Sequence, residues 1–174
     1  MKFDEVIKSR FSIRKFSEDI VSENLIQNIL EFGRIAPSAG NQQPTIVYVL
    51  DEEIIQKFNK LHSPKIHSKQ AFLICYDRRL EMTRPQDNFS FGITDSSIVT
   101  TYMMLKITEL GLGSVWVGWF NSKKIKEILE IPDEYEISAI LPFGYKSKSY
   151  KRNERSKTRK TMEEFRIEFV KKEK

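Results

Sequence analysis

Apolar residues recur along the chain with two periods, one helical and one of strands, and the two alternate. Phe3 to Ser9 has helical spacing. Ser22 is placed to cap a second helix whose Leu25, Ile26, Ile29, Leu30 and Gly33 share one face and which stops near Pro37. Thr45 to Leu50 reads as a strand, and Asp51, Glu52 and Glu53 follow as the acidic first turn of a short helix, where the macrodipole favours them. The apolar run from Ala71 to Tyr76 predicts a strand buried on both faces, which makes Cys75 a small core residue rather than a reactive thiol. From Asp95 to Leu110 the positions Ile98, Val99, Tyr102, Met103, Leu105 and Ile107 cover most of a helix circumference, so this helix is expected to be buried nearly all round. Gly111 and Gly113 close it, and a strand begins over Val115 to Val117 and gives way near Gly118. Asn121 caps a short helix with Ile125, Ile128 and Leu129 inward, ended by Pro132. A strand over Tyr135 to Leu141 follows, then a basic loop after Gly144. An amphipathic helix over Thr161 to Lys172 aligns Met162, Phe165 and Phe169. These elements predict an α+β sandwich in which helices cover a mostly antiparallel sheet.

No repeat or low-complexity linker divides the 174 residues, so residues 1–174 read as one domain. With 40% apolar residues and 12 Phe the chain can build a core, which excludes global disorder. A lone cysteine excludes an internal disulfide and a cysteine-rich metal site. No apolar stretch approaches the roughly 18–20 residues a bilayer requires, and the start Met-Lys-Phe-Asp-Glu lacks a signal peptide's apolar core. A cytoplasmic location without membrane association is therefore expected. Charge is uneven: of the net +5, the run Lys146 to Lys160 holds eight basic residues against Glu154 alone, +7, and the remainder sums to −2. One basic cluster on a near-neutral protein fits an anionic ligand bound at one place, or a solvated basic loop, better than a nucleic-acid-coating surface.

Familiar signatures are missing, since no GxxxxGK[ST], GxGxxG or HExxH occurs. His62 and His67, the only histidines, are five apart around Pro64 and do not share a helical face, so no metal or acid–base role is assigned to them. Without a nucleophile–base pair, hard chemistry has to come from a cofactor. Two segments stand out. In Arg10-Phe11-Ser12-Ile13-Arg14, extended backbone would send both guanidinium groups and the hydroxyl to one face and the apolar pair to the other. That makes a phosphate grip, or an exposed edge with solvated arginines. In Ala36-Pro37-Ser38-Ala39-Gly40-Asn41-Gln42-Gln43-Pro44, prolines fix the ends, while small residues and three amides leave a loop able to approach a planar heterocycle, or an ordinary turn-rich connection.

Taken in this order, the two segments resemble the nitroreductase family, flavin-dependent enzymes that bind FMN at a homodimer interface. The resemblance continues through Asp95-Ser96-Ser97, the stretch from Glu109 to Phe120, Leu141-Pro142-Phe143-Gly144-Tyr145 and Lys157-Thr158-Arg159, and spans Ile7 to Phe165. It implies a nitroreductase-like sandwich containing one long buried helix, with a C-terminal tail packed on the partner subunit. By this resemblance Arg10, Phe11, Ser12 and Arg14, with Lys157 and Arg159, hold the phosphate and ribityl end of FMN. Pro37, Ser38 and Asn41 line the flavin from the other subunit. Trp116, Val117 and Gly118 present backbone to the ring, including an amide to flavin N5, and Trp119 becomes a substrate contact beside the ring, with a core position as its alternative. No catalytic residue and no metal is implied.

Two departures from longer members of the family bear on the pocket: Gly118 and Trp119 stand where those carry an acidic residue followed by glycine, and their mid-chain helical excursion does not fit in 174 residues. Contact with the flavin pyrimidine from the region Asn59 to His62 is left unassigned, Asn59 being the one candidate. The activity implied is hydride transfer from NAD(P)H through flavin N5 to a nitroaromatic, quinone or similar small-molecule acceptor, by a ping-pong scheme. A flavin storage or sensing protein without turnover, or a basic nucleic-acid-binding module using Tyr145 and Tyr150, are the alternatives.

Overall fold

The computed structural model describes residues 2–61, 66–152 and 157–167. Along the chain run α1 (Phe3–Ser9), α2 (Glu23–Arg34), β1 (Thr45–Leu50), α3 (Glu52–Leu61), β2 (Gln70–Asp77) and a short hairpin of β3 (Thr83–Arg84) and β4 (Phe89–Ser90). Then come α4 (Gly92–Glu109), β5 (Gly113–Ser114), α5 (Ser122–Leu129), β6 (Tyr135–Gly144) and α6 (Met162–Phe165). The main sheet has the order β1-β2-β6-β5 with every ladder antiparallel. No helix among the described residues is long and apolar enough to cross a membrane.

The sheet is buried on both faces because β2 and β6 carry apolar side chains at consecutive positions, which alternation sends to opposite sides. Phe72 and Ile74 of β2 join Ala139, Leu141 and Phe143 of β6 under α2 and α4. Ala71, Leu73 and Cys75 join Ile140 under α3 and α5. Phe72 and Phe143 stack across the two strands with ring centroids 4.3 Å apart. On the first face Gly33 lets α2 close on α4, since a Cβ there would lie 2.8 Å from Met103 Cγ. α4 ends in a Schellman motif: Gly111 has φ +77°, Gly111 N–H donates to Thr108 O and Leu112 N–H to Ile107 O, both at 3.0 Å.

Several boundaries differ from the sequence expectation. α4 begins at Gly92 rather than Asp95. It is buried along the line of Asp95, Val99, Met103 and Ile107 but not all round, since Ile93 is exposed and Tyr102 is exposed beside Phe3 and Phe32. The strand expected over Val115 to Val117 is regular at Gly113–Ser114 and returns as a single bridge from Val117 to Ile140. β6 continues through Pro142 to Gly144; Pro142 O accepts from Val115 N–H, so the missing proline donor faces the irregular β5 side and the ladder with β2 is untouched. Asn121 Oδ1 caps α5 by accepting from Lys124 N–H at 3.1 Å, whereas Ser22 precedes α2 without a side-chain cap bond. The helix expected over Thr161 to Lys172 is one turn closed by a Thr161/Glu164 capping box, and Arg166 is already extended. Phe169 lies outside the described residues, as does His62.

Cys75 is fully buried, and burial pushes its thiol up from 9.0 to about 12. Between these values the unfolded chain loses this proton and the folded chain keeps it, so stability falls as pH rises past about 9, by up to ~1.4 kcal/mol per pH unit. Denaturant melts at about pH 8 and about pH 10 are expected to show this drop in the parent protein and a smaller one in Cys75→Ala. Equal slopes would mean that the thiol is solvated.

Candidate functional site

α1 ends at Arg10 in extended backbone, and the next residues run along the outer edge of β5. Ser12 bridges Ser114 in parallel, and Ile13 N–H donates to Ser114 O at 2.9 Å. Ile13 points into the core, as the alternation predicts. Phe11 does not join it. Its half-buried ring instead stacks on Tyr150 at 6.3 Å, with Arg152 Cζ 5.0 Å and Lys146 Nζ 5.8 Å from the ring centroid. Tyr150 donates its hydroxyl to Ser12 O at 2.8 Å, and Ser147 N–H donates to Lys15 O at 3.1 Å. The basic loop is thereby folded back on residues 10–15.

Burial, then the charges of Arg159 and Arg152, hold the Arg10 guanidinium below its ordinary value. Three arginines, one following α1 and two from the basic run, thus gather at one place. Like charges brought together oppose folding and favour an anion that neutralises them. Lys157 and Arg159 are exposed, and Arg159 Nη1 donates to Thr158 O at 2.7 Å. Arg14 does not share this cluster: it lines a cleft of about 460 Å³ with Lys15, Glu18, Asn59, His67 and Lys69. Asn59 is a loop staple, since its carboxamide donates to Ile66 O at 2.8 Å and accepts from Ile66 N–H at 2.7 Å.

Val117 exchanges both backbone hydrogen bonds with Ile140, at 2.9 and 3.0 Å, so its amide is committed to the sheet. In extended chain the neighbouring amides point the opposite way, which turns Trp116 and Gly118 N–H toward the edge where Ser12 pairs. Trp116 packs partly into the first core, while Gly118 is exposed. Trp119 is 82% exposed and so is no core residue.

The Pro37–Asn41 loop is built separately. Left-handed backbone occurs at Gly40 (φ 55°), Asn41 (φ 55°) and Gln43 (φ 50°). Ser38 Oγ accepts from Gln43 N–H at 2.9 Å, and Gln43 Nε2 donates to Asn41 Oδ1 at 3.1 Å. Among the described residues no hydrogen bond or ion pair joins this loop to residues 10–14 or 157–159 of the same chain. The structure therefore brings together Arg10, Phe11, Ser12 and Arg159, sets Ser12 against Ser114 two residues before Trp116, and among the described residues hydrogen-bonds Pro37, Ser38 and Asn41 to none of them. Sequence reasoning assigned Arg152 no role of its own and Tyr150 only a stacking role in the nucleic-acid alternative: the +7 run signalled the loop, but spacing cannot tell which of its side chains fold back.

The Nitroreductase family model matches residues 7–72 and 67–145, and the chain belongs to this family. It is 31% identical over 149 residues, 81% of this chain and 83% of the other, to an Archaeoglobus fulgidus protein named as an NADH dehydrogenase/NAD(P)H nitroreductase. To the FMN reductase [NAD(P)H] of Bacillus subtilis it is 29% identical over 151 residues, 74% of this chain and 61% of that one. A crystal structure of a nitroreductase family protein from Clostridium difficile 630 superposes with a TM-score of 0.88 at 38% identity, covering 96% of this chain and 98% of the other.

Proposed function

We propose that this chain is an FMN-dependent NAD(P)H oxidoreductase that reduces an electron-poor small molecule. The observation that carries the reading is the gathering of Arg10, Arg152 and Arg159 where residues 12 and 13 pair with the edge of β5. The donor set fits the cofactor: guanidinium forks and a hydroxyl suit a phosphate, and outward backbone amides suit the acceptor atoms of a flavin ring. Arg10, Ser12, Lys157 and Arg159 would hold the phosphate and ribityl end, with Phe11 supporting the loop that covers them; Arg14, which lines the cleft with Lys15 and Asn59, is left out of this set. Family membership and the FMN reductase among the relatives favour the same group. When bound, FMN would supply the redox chemistry, hydride transfer between NAD(P)H and a nitroaromatic, quinone or similar acceptor. The chain's part is to fix the phosphate, orient the ring and wall the pocket, which needs no titrating side chain.

The active form in this reading is a homodimer, and residues 1–174 act as one domain within it. Phe3, Phe32 and Tyr102 line one apolar cleft between α1, α2 and α4, and Phe165 of α6 is 78% exposed. Pro37, Ser38 and Asn41 would complete the partner's flavin site, and the C-terminal tail would cover the partner. Such an interface buries about 2,000 Å² or more, and sedimentation should find no flavin-loaded monomer.

Purified protein titrated with FMN should turn yellow and gain thermal stability. A protein that stays colourless and gains none overturns the proposal, and one that binds FMN without turnover leaves the storage reading. Because donor and acceptor would share one pocket, double-reciprocal plots at several acceptor concentrations should be parallel, and intersecting lines would require a second site. Trp119→Ala is expected to change relative rates among aromatic acceptors severalfold while FMN affinity holds, since only ring contact above the pocket is lost. Loss of FMN with unchanged relative rates would remove Trp119 from the acceptor pocket.

A further inference from the structure

Asp95, in the first turn of α4, is 2% exposed. Its Oδ1 accepts from Ala39 N–H at 2.9 Å, while its Oδ2 is buried and meets no donor among the described residues. A buried carboxylate oxygen without a partner opposes folding, and the partial positive charge at the start of α4 offsets that only in part. The loop it touches is strained as well, with two non-glycine residues, Asn41 and Gln43, in left-handed backbone. Such backbone persists only where its surroundings over-determine it.

Among the described residues every other hydrogen bond of residues 38–43 runs within the loop: Asn41 N–H to Ser38 O, Gln42 N–H to Ala39 O, Gln43 N–H to Ser38 Oγ, and Gln43 Nε2 to Asn41. These bonds fix the shape of residues 38–43, and beyond them Pro44 O accepts from Asp77 N–H at 2.9 Å where β1 begins. The bond from Ala39 to Asp95 is the polar tie between that shape and the helix scaffold. We infer that Asp95 is a positioning residue that acts across the dimer: it sets where Ser38 and Asn41 meet the FMN held by the partner subunit. The inference rests on the shared flavin site proposed above. The acceptor oxygen carries this role rather than the charge, because the contact is to a neutral backbone N–H.

FMN titration of the full-length apoprotein tests it. Asp95→Ala is expected to weaken FMN binding about tenfold or more, and Asp95→Asn, which keeps the acceptor, to stay within about threefold of the parent. If Asp95→Ala does not fold, Asp95→Leu keeps the side-chain shape without the acceptor and should show the same loss. Parent-like affinity in the acceptor-less variant overturns the inference, as does equal loss in Asp95→Asn.

Mixed dimers separate positioning from simple helix stability. With Asp95→Ala in one subunit and Arg10→Ala in the other, action across the dimer puts both defects in one site and none in its twin. The mixed dimer should then bind about one FMN with parent affinity, although both parental homodimers bind weakly. Two equally weak sites would place the effect of Asp95 within its own subunit and overturn the inference. If Arg10→Ala alone binds FMN like the parent, the phosphate-grip reading fails instead, and the Asp95 titrations still decide the role of Asp95.

Discussion

Replacing Arg10 and Arg159 together by alanine is expected to weaken FMN binding by about 100-fold or more. Each guanidinium removed costs about 1.5–3 kcal/mol of charge-assisted contact to the phosphate, and neighbours that share one anion do not add fully, which leaves about 3–4 kcal/mol for the pair. The effect on the apoprotein has the opposite sign. Arg10 is half-buried and lies within the field of Arg152 and Arg159, so folding without an anion brings like charges together. Removing two of them relieves that repulsion, and the apo double variant should melt no lower than the apo parent. Salt screens the same repulsion and should raise the melting point of the apo parent more than that of the variant.

The control lies in the same basic run. Lys148 and Lys151 are exposed, and Lys148→Ala with Lys151→Ala should leave FMN affinity within about threefold, since only long-range attraction is lost. Equal losses from both pairs would mean that the loop attracts anions as a diffuse charge and holds no phosphate. An apo double variant that melts well below the parent would mean that the arginines are structural.

Where one physical signal dominates, the sequence was a sufficient guide. The unbroken apolar run of β2 is buried on both faces because each alternate position has a helix layer to meet, and the cap at Asn121 forms because its oxygen reaches Lys124 N–H. The hairpin from Thr83 to Ser90 left no such trace. It has two residues per strand, an exposed ladder and a left-handed Asn88 (φ 56°), so it presents no apolar face to read. α4 begins three residues early although Gly92, Ile93 and Thr94 are poor helix formers: Gly92 is buried against Tyr76 and Glu81, and Ile93 O accepts from the Ser96 and Ser97 hydroxyls, which propensity does not report. For the site, alternation put Ile13 inward correctly and misplaced Phe11, because what orients Phe11 is Tyr150 and Arg152, almost 140 residues away in sequence. A loop that returns over such a distance cannot be read from local spacing.

Two glycines close together in sequence should fail for different reasons, and the difference tests whether the fold and the site are mechanically joined. A Cβ at Gly113 would lie 2.6 Å from Ile13 Cγ1, 2.8 Å from its Cβ and 3.0 Å from its Cγ2. Ile13 cannot rotate away, being β-branched, buried and tied by its N–H to Ser114 O. β5 cannot retreat either, since Gly113 and Ser114 pair with Gly144 and Phe143 of β6. The backbone of residues 12–14 has to give, and it carries Ser12 and Arg14 with it. Gly113→Ala is therefore expected to destabilise the fold by about 1–3 kcal/mol and, in the molecules that remain folded, to weaken FMN binding about tenfold. Gly111 has open space around it, with nothing within 4 Å, but a φ of +77°. Gly111→Ala should cost about 1–2 kcal/mol of stability through backbone strain at the end of α4 and leave FMN affinity unchanged, because nothing in the site is pushed. Denaturant melts read the first effect in both variants, and FMN titration at a temperature where both are folded reads the second. Parent-like FMN affinity in Gly113→Ala would separate the Arg10–Arg14 segment from the cofactor, and with it the argument that the edge of β5 is where the phosphate grip is held.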